Sequence, residues 1–134
     1  MTDEIFSAYL GRRKTASDAF VAGDVGPLLA VSTGCDPATI LGPGGTVVTG
    51  AEAVNAANAD GAARMAGSER NDLETLHSGE EGEIAWWVGV QRSVVSVAGQ
   101  EGAVPMDLRV TELYRREDGS WKLFHRHADR LQES

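Results

Sequence analysis

The stretch MDLRVTELYRREDGSWKLFHRHAD, residues 106–129, decides the fold that this sequence predicts. Residues 106–116 and 120–128 favour strands, and Asp118-Gly119 between them is among the strongest signals for a two-residue hairpin turn. A type I′ turn needs positive φ at both central positions, which Asp and Gly tolerate. We therefore expect a β-hairpin near the C-terminus.

The second strand of this hairpin predicts a pocket wall. Because side chains alternate between the two faces of a strand, one face should carry the following set: Trp121, Leu123, His125, His127 and Asp129. Such a face is apolar at one end and titratable at the other, which is typical of a strand that lines a pocket. On the preceding strand the alternation gives two sets, which are Arg109, Thr111 and Leu113 against Val110, Glu112 and Tyr114.

The rest of the chain predicts three helices and four further strands. Apolar residues at helical spacing indicate helices over 3–21, 25–32 and about 49–65, and the strands are predicted at 38–41, 46–49, 68–77 and 83–98. This order predicts an α+β fold in one domain, residues 1–134, with three N-terminal helices packed on a strongly bent, mostly antiparallel sheet. A bent sheet covered by helices forms a cone with one open end, which suits a small molecule.

Composition excludes several classes of partner. A net charge of −8 argues against nucleic acid and against an anionic membrane surface. No apolar run approaches the ~20 residues of a membrane-spanning helix, and the acidic start predicts no signal peptide. Cys35 is the only cysteine, which fits a reducing cytoplasm. The excess of Arg over Lys, with abundant Ala, Gly and Val, favours a bacterial source.

Three stretches resemble SnoaL-like members of the nuclear transport factor 2-like (NTF2-like) superfamily, close to its ketosteroid-isomerase-related and DUF4440 groups. They are ATILGPGGTVVTGAEAV (38–54), GEIAWWVG (82–89) and LRVTELYRREDGSWKLFHRHAD (108–129). The resemblance implies the cone-shaped fold, but it does not fix an activity, because this fold hosts isomerases, cyclases, dehydratases and non-catalytic dimerisation modules. Ketosteroid isomerases carry an Asp base before the Pro that Pro43 matches, and Gly42 stands there, so steroid-isomerase chemistry is disfavoured.

The same resemblance implies a set of candidate catalytic residues. SnoaL-type cyclases use an acidic base in the cone with a His nearby, and Asp129 and His127 are the nearest counterparts. In this hypothesis His127 is the general acid/base, Asp129 orients it or is itself the base, and Arg109 stabilises developing charge. The alternative is that His125 and His127 form hydrogen bonds at the cone rim or a dimer interface, while Arg109 makes an ordinary ion pair.

The candidate substrate-binding residues are His125, Trp86, Trp87, Thr111, Tyr114 and Trp121. Trp86 and Trp87 should lie on opposite faces of their strand, so that one enters the cone and the other lies on the outer surface. They either stack on a flat aromatic ligand or belong to the core and a dimer interface. Arg13 falls in the apolar stripe of the first helix, so it either reaches water or pairs with a buried carboxylate such as Asp129.

We expect neither a metal nor another cofactor. His125, His127 and Asp129 share a strand face but diverge over roughly 6–7 Å, so one ion would not reach all three. The turn at Gly42-Pro43 lacks the Lys-Ser/Thr of a phosphate-binding loop.

The sequence therefore predicts a cytoplasmic homodimer that binds a small hydrophobic or aromatic metabolite. As an enzyme it would be a cofactor-free isomerase, cyclase or dehydratase that acts by proton transfer. The alternatives are a non-catalytic ligand-binding or accessory protein of a bacterial biosynthetic pathway and a dimerisation module. Catalysis needs His127 inside the cone, a binding protein needs a cavity, and a dimerisation module should fill the cone with its own side chains.

Overall fold

A computed structural model describes residues 3–132 of the chain. Its elements in chain order are α1 (Phe6–Val21), α2 (Gly26–Val31), β1 (Thr39–Leu41), β2 (Val47–Thr49), α3 (Ala51–Ala63), β3 (Met65–Glu81), β4 (Ile84–Val97), β5 (Val104–Glu117) and β6 (Ser120–Arg130). The predicted order of helices and strands is confirmed. The largest difference is β3, which is longer at both ends than the predicted 68–77 because it pairs with β4 along its length.

The six strands form one curved, open sheet in the order β2-β1-β6-β5-β4-β3. All neighbouring pairs are antiparallel except β1 and β6, which run parallel. We call the face of this sheet that carries the helices the inner face and the opposite face the outer face. The predicted α+β class, with three helices on a bent and mostly antiparallel sheet, is confirmed.

The turn between β5 and β6 has the predicted geometry. Asp118 has φ of 49° and Gly119 has φ of 81°, so both central residues adopt the left-handed conformation of a type I′ turn. This turn fixes the register of the last two strands.

An aromatic cluster holds α1 against the inner face. Phe6 and Tyr9 of α1 pack on Tyr114 of β5 and Trp121 of β6, and the Tyr9 and Tyr114 ring centroids are 5.2 Å apart. The Tyr9 hydroxyl donates a hydrogen bond of 2.8 Å to the Val31 carbonyl, which ties α1 to the end of α2. These contacts pack α1 and the end of α2 against β5 and β6.

A β-bulge in β6 changes which residues face inward. Tyr114 pairs with Leu123, but Leu113 pairs with His125, so Phe124 is an extra residue without a partner on β5. Before the bulge Trp121 and Leu123 face inward, as predicted. After it the inner-face positions continue at Arg126, which is half-buried, and Ala128, which is buried, while His127 between them is exposed. The prediction that Trp121, Leu123, His125, His127 and Asp129 share one face is therefore wrong.

Candidate functional site

A cavity of about 230 Å³ lies between the inner face and the three helices. Most of its wall is apolar, and the side chains involved include Phe20, Leu28, Ile40, Met106, Leu108 and Leu123. Arg13 from α1 and Arg126 from β6 bring two guanidinium groups to the same wall. A largely apolar wall with a few polar groups that fix orientation is typical of small-molecule pockets.

The two arginines meet at the carboxylate of Glu112, which is 2% exposed. Arg13 binds it through Nε and Nη2, at 2.9 and 2.7 Å, and Arg126 donates to it through Nη1 at 2.5 Å. The Tyr114 hydroxyl donates a fourth hydrogen bond of 2.7 Å. Since a carboxylate has about four acceptor positions, Glu112 has none left for a ligand.

Electrostatics keep this cluster ionised. Burial alone would raise the pKa of Glu112, but the charges of Arg13 and Arg126 outweigh it and lower the pKa to about 2. Burial alone would lower the pKa of Arg13, and the neighbouring carboxylate raises it instead. Burial, and then the charge of Glu112, raises the pKa of Tyr114. Glu112 is therefore a fixed anion and a poor general base near neutral pH.

A second cavity of about 210 Å³ lies on the other side of this cluster, between α1 and strands β3 to β5. Both cavities are lined by Arg13, Ser17, Gln91 and Arg126. Arg126 donates to the Gln91 side chain at 2.9 Å, and Gln91 donates to Asn71 at 3.0 Å. The polar side chains thus form a continuous wall between the two cavities.

The three predicted catalytic residues lie on the outer face. Arg109 binds the Asp129 carboxylate through Nε and Nη2, both at 2.6 Å, and their side chains are 64% and 41% exposed. His127 is exposed as well. The residues that line the two cavities in the described chain include none of the three. This placement does not favour a catalytic role in the cone for Arg109, His127 or Asp129, and it matches the ordinary ion pair considered for Arg109.

Of the site residues predicted from the sequence, His125 borders the larger cavity. It pairs with Leu113 and with Thr39, and its Nδ1 lies 2.6 Å from the Thr39 hydroxyl oxygen. Burial, and then the nearby charge of His127, lowers the pKa of His125. The imidazole is therefore biased towards its neutral form at the edge of the cavity, next to the bulge.

The other predicted binding residues are divided between the two faces. Trp87 and Tyr114 face inward and line the second cavity, and the Trp87 indole N–H donates to the Thr75 hydroxyl at 2.8 Å. Trp86 and Thr111 alternate with these buried positions and are half-buried on the outer face. Trp121 is fully buried in the aromatic cluster and borders neither cavity. The expected separation of Trp86 from Trp87 is confirmed.

Sequence reasoning missed Glu112 and Arg126 as site residues, and it gave Asp129 as the example of a buried carboxylate partner for Arg13. The guanidinium of Arg13 does not reach water, and its partner is Glu112 instead of Asp129. The available signal was the alternation that groups Glu112 with Val110 and Tyr114, because a carboxylate on an apolar strand face needs a buried cation. Arg126 was missed because the bulge shifts the alternation of β6 by one position.

Two negative results concern the described residues. Within residues 3–132, no three His, Cys, Asp or Glu side chains come close enough together to hold a metal ion. No helix in the same range is both long and apolar enough to cross a membrane.

Comparison with solved structures shows the fold. A ketosteroid isomerase-like protein from Erwinia carotovora atroseptica is 15% identical, with a TM-score of 0.75 over 95% of this chain and 94% of that one. A candidate dehydratase of the NTF2-like family from Streptomyces avermitilis is 18% identical, with a TM-score of 0.72 over 95% and 97%. An NTF2-like protein of unknown function in nutrient uptake from Rhodospirillum rubrum is 21% identical, with a TM-score of 0.73 over 96% and 100%.

Sequence comparison shows the family. A search of curated proteins found no match. The family model of the SnoaL-like domain matches residues 14–128, which include β5, most of β6 and Arg126, whereas Arg13 lies one residue before the match. Because this match spans most of the chain, the protein belongs to the SnoaL-like family, and it shares the fold of structures described as NTF2-like.

Proposed function

We propose that this protein binds a small, largely apolar metabolite in the larger cavity. The observation that carries the proposal is the cavity itself, because about 230 Å³ of the cone is not filled by the chain's own side chains. A cavity of roughly 150 Å³ holds benzene, so this one suits a single ring or a short chain with substituents. The unfilled cone also disfavours a pure dimerisation module.

The proposal is tested by closing the cavity from α3. Asn58 lines it, whereas Ala56, on the same helix, is exposed. We expect Asn58→Phe to weaken binding of single-ring ligands by at least about tenfold, and Ala56→Phe to leave it unchanged. Binding is measured by titration calorimetry with a panel of neutral and acidic single-ring compounds. Absence of binding across the panel, or equal binding by both variants, contradicts the proposal.

A second candidate is a cofactor-free proton-transfer enzyme of the isomerase, cyclase or dehydratase kind. The observation that favours it is His125, which borders the cavity with a lowered pKa and a hydrogen-bonded Nδ1. A neutral imidazole near pH 7 is suited to general acid/base catalysis. The two similar structures described as an isomerase-like protein and a candidate dehydratase agree with this class of reaction, but their low identity supports the fold alone.

This candidate predicts a turnover that depends on His125. Once a ligand is found, solvent-deuterium exchange into that ligand, followed by NMR, detects proton abstraction without knowledge of the product. Wild-type protein should catalyse the exchange, and His125→Gln should lose it while still binding. His127→Gln is the matched control, and equal loss in both variants would contradict the role of His125. Failure to exchange any bound ligand favours the non-catalytic binding or accessory protein.

The homodimer remains a proposal. It is supported by the row of half-buried apolar side chains on the outer face of β4, which are Trp86, Val88 and Val90. Light scattering after size-exclusion chromatography measures the mass in solution, and a monomer at all concentrations would contradict it.

A further inference from the structure

The buried cluster at the cavity wall carries unbalanced charge. Arg13 and Arg126 both bind Glu112, and within residues 3–132 no other carboxylate is bonded to either guanidinium. The cluster therefore holds two cations and one anion. Arg126, whose side chain is 21% exposed, shares this carboxylate with Arg13 and has no other among the described residues. One positive charge therefore remains to be neutralised beside an apolar cavity, where an unpaired charge is less well solvated than in water.

The two arginines differ in what they offer the cavity. The Arg13 side chain is 8% exposed, and its Nε and Nη2 are already used by Glu112. Its Nη1 has no hydrogen-bond partner among the described residues and almost no accessible surface, so a group in the cavity does not reach it. The Arg126 side chain is 21% exposed and lines the cavity, so its charge is accessible to a ligand there.

The rest of the cavity wall restricts the kind of ligand that could neutralise this charge. Arg13 and Arg126 line the same cavity, whose other lining is mainly Leu, Ile, Met and Phe. A ligand that matches both the surplus positive charge and the apolar lining has an apolar body and one anionic head group. A carboxylate carries a single charge and two acceptor oxygens, and a guanidinium recognises it well. A phosphate would bring up to two charges against a surplus of one.

We propose that the larger cavity takes a small organic carboxylate, a single-ring or short-chain acid, whose head group pairs with the surplus charge of Arg126. This inference rests on the proposed ligand-binding function and adds the chemical class of the ligand. It assigns Glu112 a positioning role, because the carboxylate holds both arginines at the wall while its own acceptors are occupied.

The experiment compares acids with amides of the same shape. The probes are phenylacetate and phenylacetamide, 3-phenylpropanoate and 3-phenylpropanamide, and hexanoate and hexanamide, titrated calorimetrically into the full chain. We expect at least one acid to bind about tenfold or more tightly than its amide, since hydrogen bonds between charged groups are the stronger ones. Equal binding of acids and amides would overturn the carboxylate inference and leave the proposed binding function standing. No binding by any probe would overturn both.

Two variants test whether Arg126 is responsible for the preference for acids over amides. Arg126→Met removes the surplus charge but leaves the Arg13–Glu112 pair intact, so it should bind acid and amide equally. Arg109→Met is the matched control, because this arginine is bound to a carboxylate on the outer face and lines neither cavity. It should keep the preference for acids. Should Arg126→Met fail to fold, Arg126→Gln keeps hydrogen-bonding capacity towards Gln91 without the charge. Retention of the preference in either folded Arg126 variant, or tighter binding of phenyl phosphate than of every acid, would overturn the inference.

Discussion

Each face of the sheet presents a carboxylate that an arginine binds through two parallel hydrogen bonds. On the inner face Arg13 binds Glu112, and their side chains are 8% and 3% exposed. On the outer face Arg109 binds Asp129, and both side chains are largely solvated. The chemistry is the same, but the surroundings differ. Removing one partner of a buried pair leaves the other charge without a counter-ion, whereas water replaces a partner that is lost from an exposed pair.

The largest expected difference is in the response to a lost carboxylate. Glu112→Gln leaves the buried guanidinium of Arg13 and the half-buried one of Arg126 without their counter-ion, so we expect a loss of about 3–5 kcal/mol in the free energy of unfolding. Asp129→Asn should leave the unfolding midpoint within experimental error of wild type, because solvent screens that pair. Urea denaturation followed by circular dichroism measures both. Equal losses in the two variants would contradict the distinction between the faces.

The second difference is in acid sensitivity. The pKa of Glu112 falls from an ordinary 4.5 to about 2 in the folded protein. Its stabilising contribution, about 3 kcal/mol by linkage, is therefore fully present above pH ~4.5 and is lost as the pH falls towards ~2. The pKa of Asp129 is also lowered, through its hydrogen bonds with Arg109, but this exposed pair should weaken with added salt.

The measurement for this prediction is the urea midpoint between pH 5 and pH 2, at low and high salt, for wild type and Asp129→Asn. We expect Asp129→Asn to keep nearly all of the acid dependence of wild type. Loss of most of that dependence in Asp129→Asn would assign it to the outer pair instead.

The smallest difference concerns two glycines beside tryptophans. A Cβ at Gly89 would clash with the Glu74 carbonyl and lie 2.5 Å from the inward Trp87 ring. A Cβ at Gly79 would lie 2.6 Å from the outward Trp86 ring, and all three of its nearest neighbours belong to that side chain. We expect Gly89→Ala to cost about 1–3 kcal/mol, as overpacking does. Gly79→Ala should cost less, because the half-buried Trp86 ring is free to move. Thermal unfolding of both variants ranks them, and the reverse order would contradict the prediction.

The sequence predicted the elements because their signals are local. The Asp118-Gly119 turn, the apolar spacing of α1 and the alternation of β5 each depend on neighbouring residues, and the structure contains all three. The opposite placement of Trp86 and Trp87 follows from the same alternation. Which of the two faces inward depends on the helices that pack on the sheet, so local pattern did not decide it.

The candidate site was less predictable because it depends on distant contacts and on the bulge. Arg13 and Glu112 are 99 positions apart, and the sequence near either residue does not indicate that the other is its partner. Phe124 is an ordinary strand residue, so the bulge that follows from its lack of a partner has no sequence signature. One extra residue, whose position the sequence does not indicate, was enough to move His127 and Asp129 to the outer face and Arg126 to the inner one.

The bulge at Phe124 also has a consequence for sequence alignment. In a relative whose last strand lacks the bulge, inward residues continue every second position, and a gap-free alignment would match Arg126 and Ala128 to outward residues. A single gap between Leu123 and Arg126 restores the correspondence. The parity of the residue count in this short segment therefore decides whether a functional residue is transferred between relatives correctly. Phylogenetic comparisons of this strand should be aligned on inward positions rather than on the His-x-His-x-Asp letters.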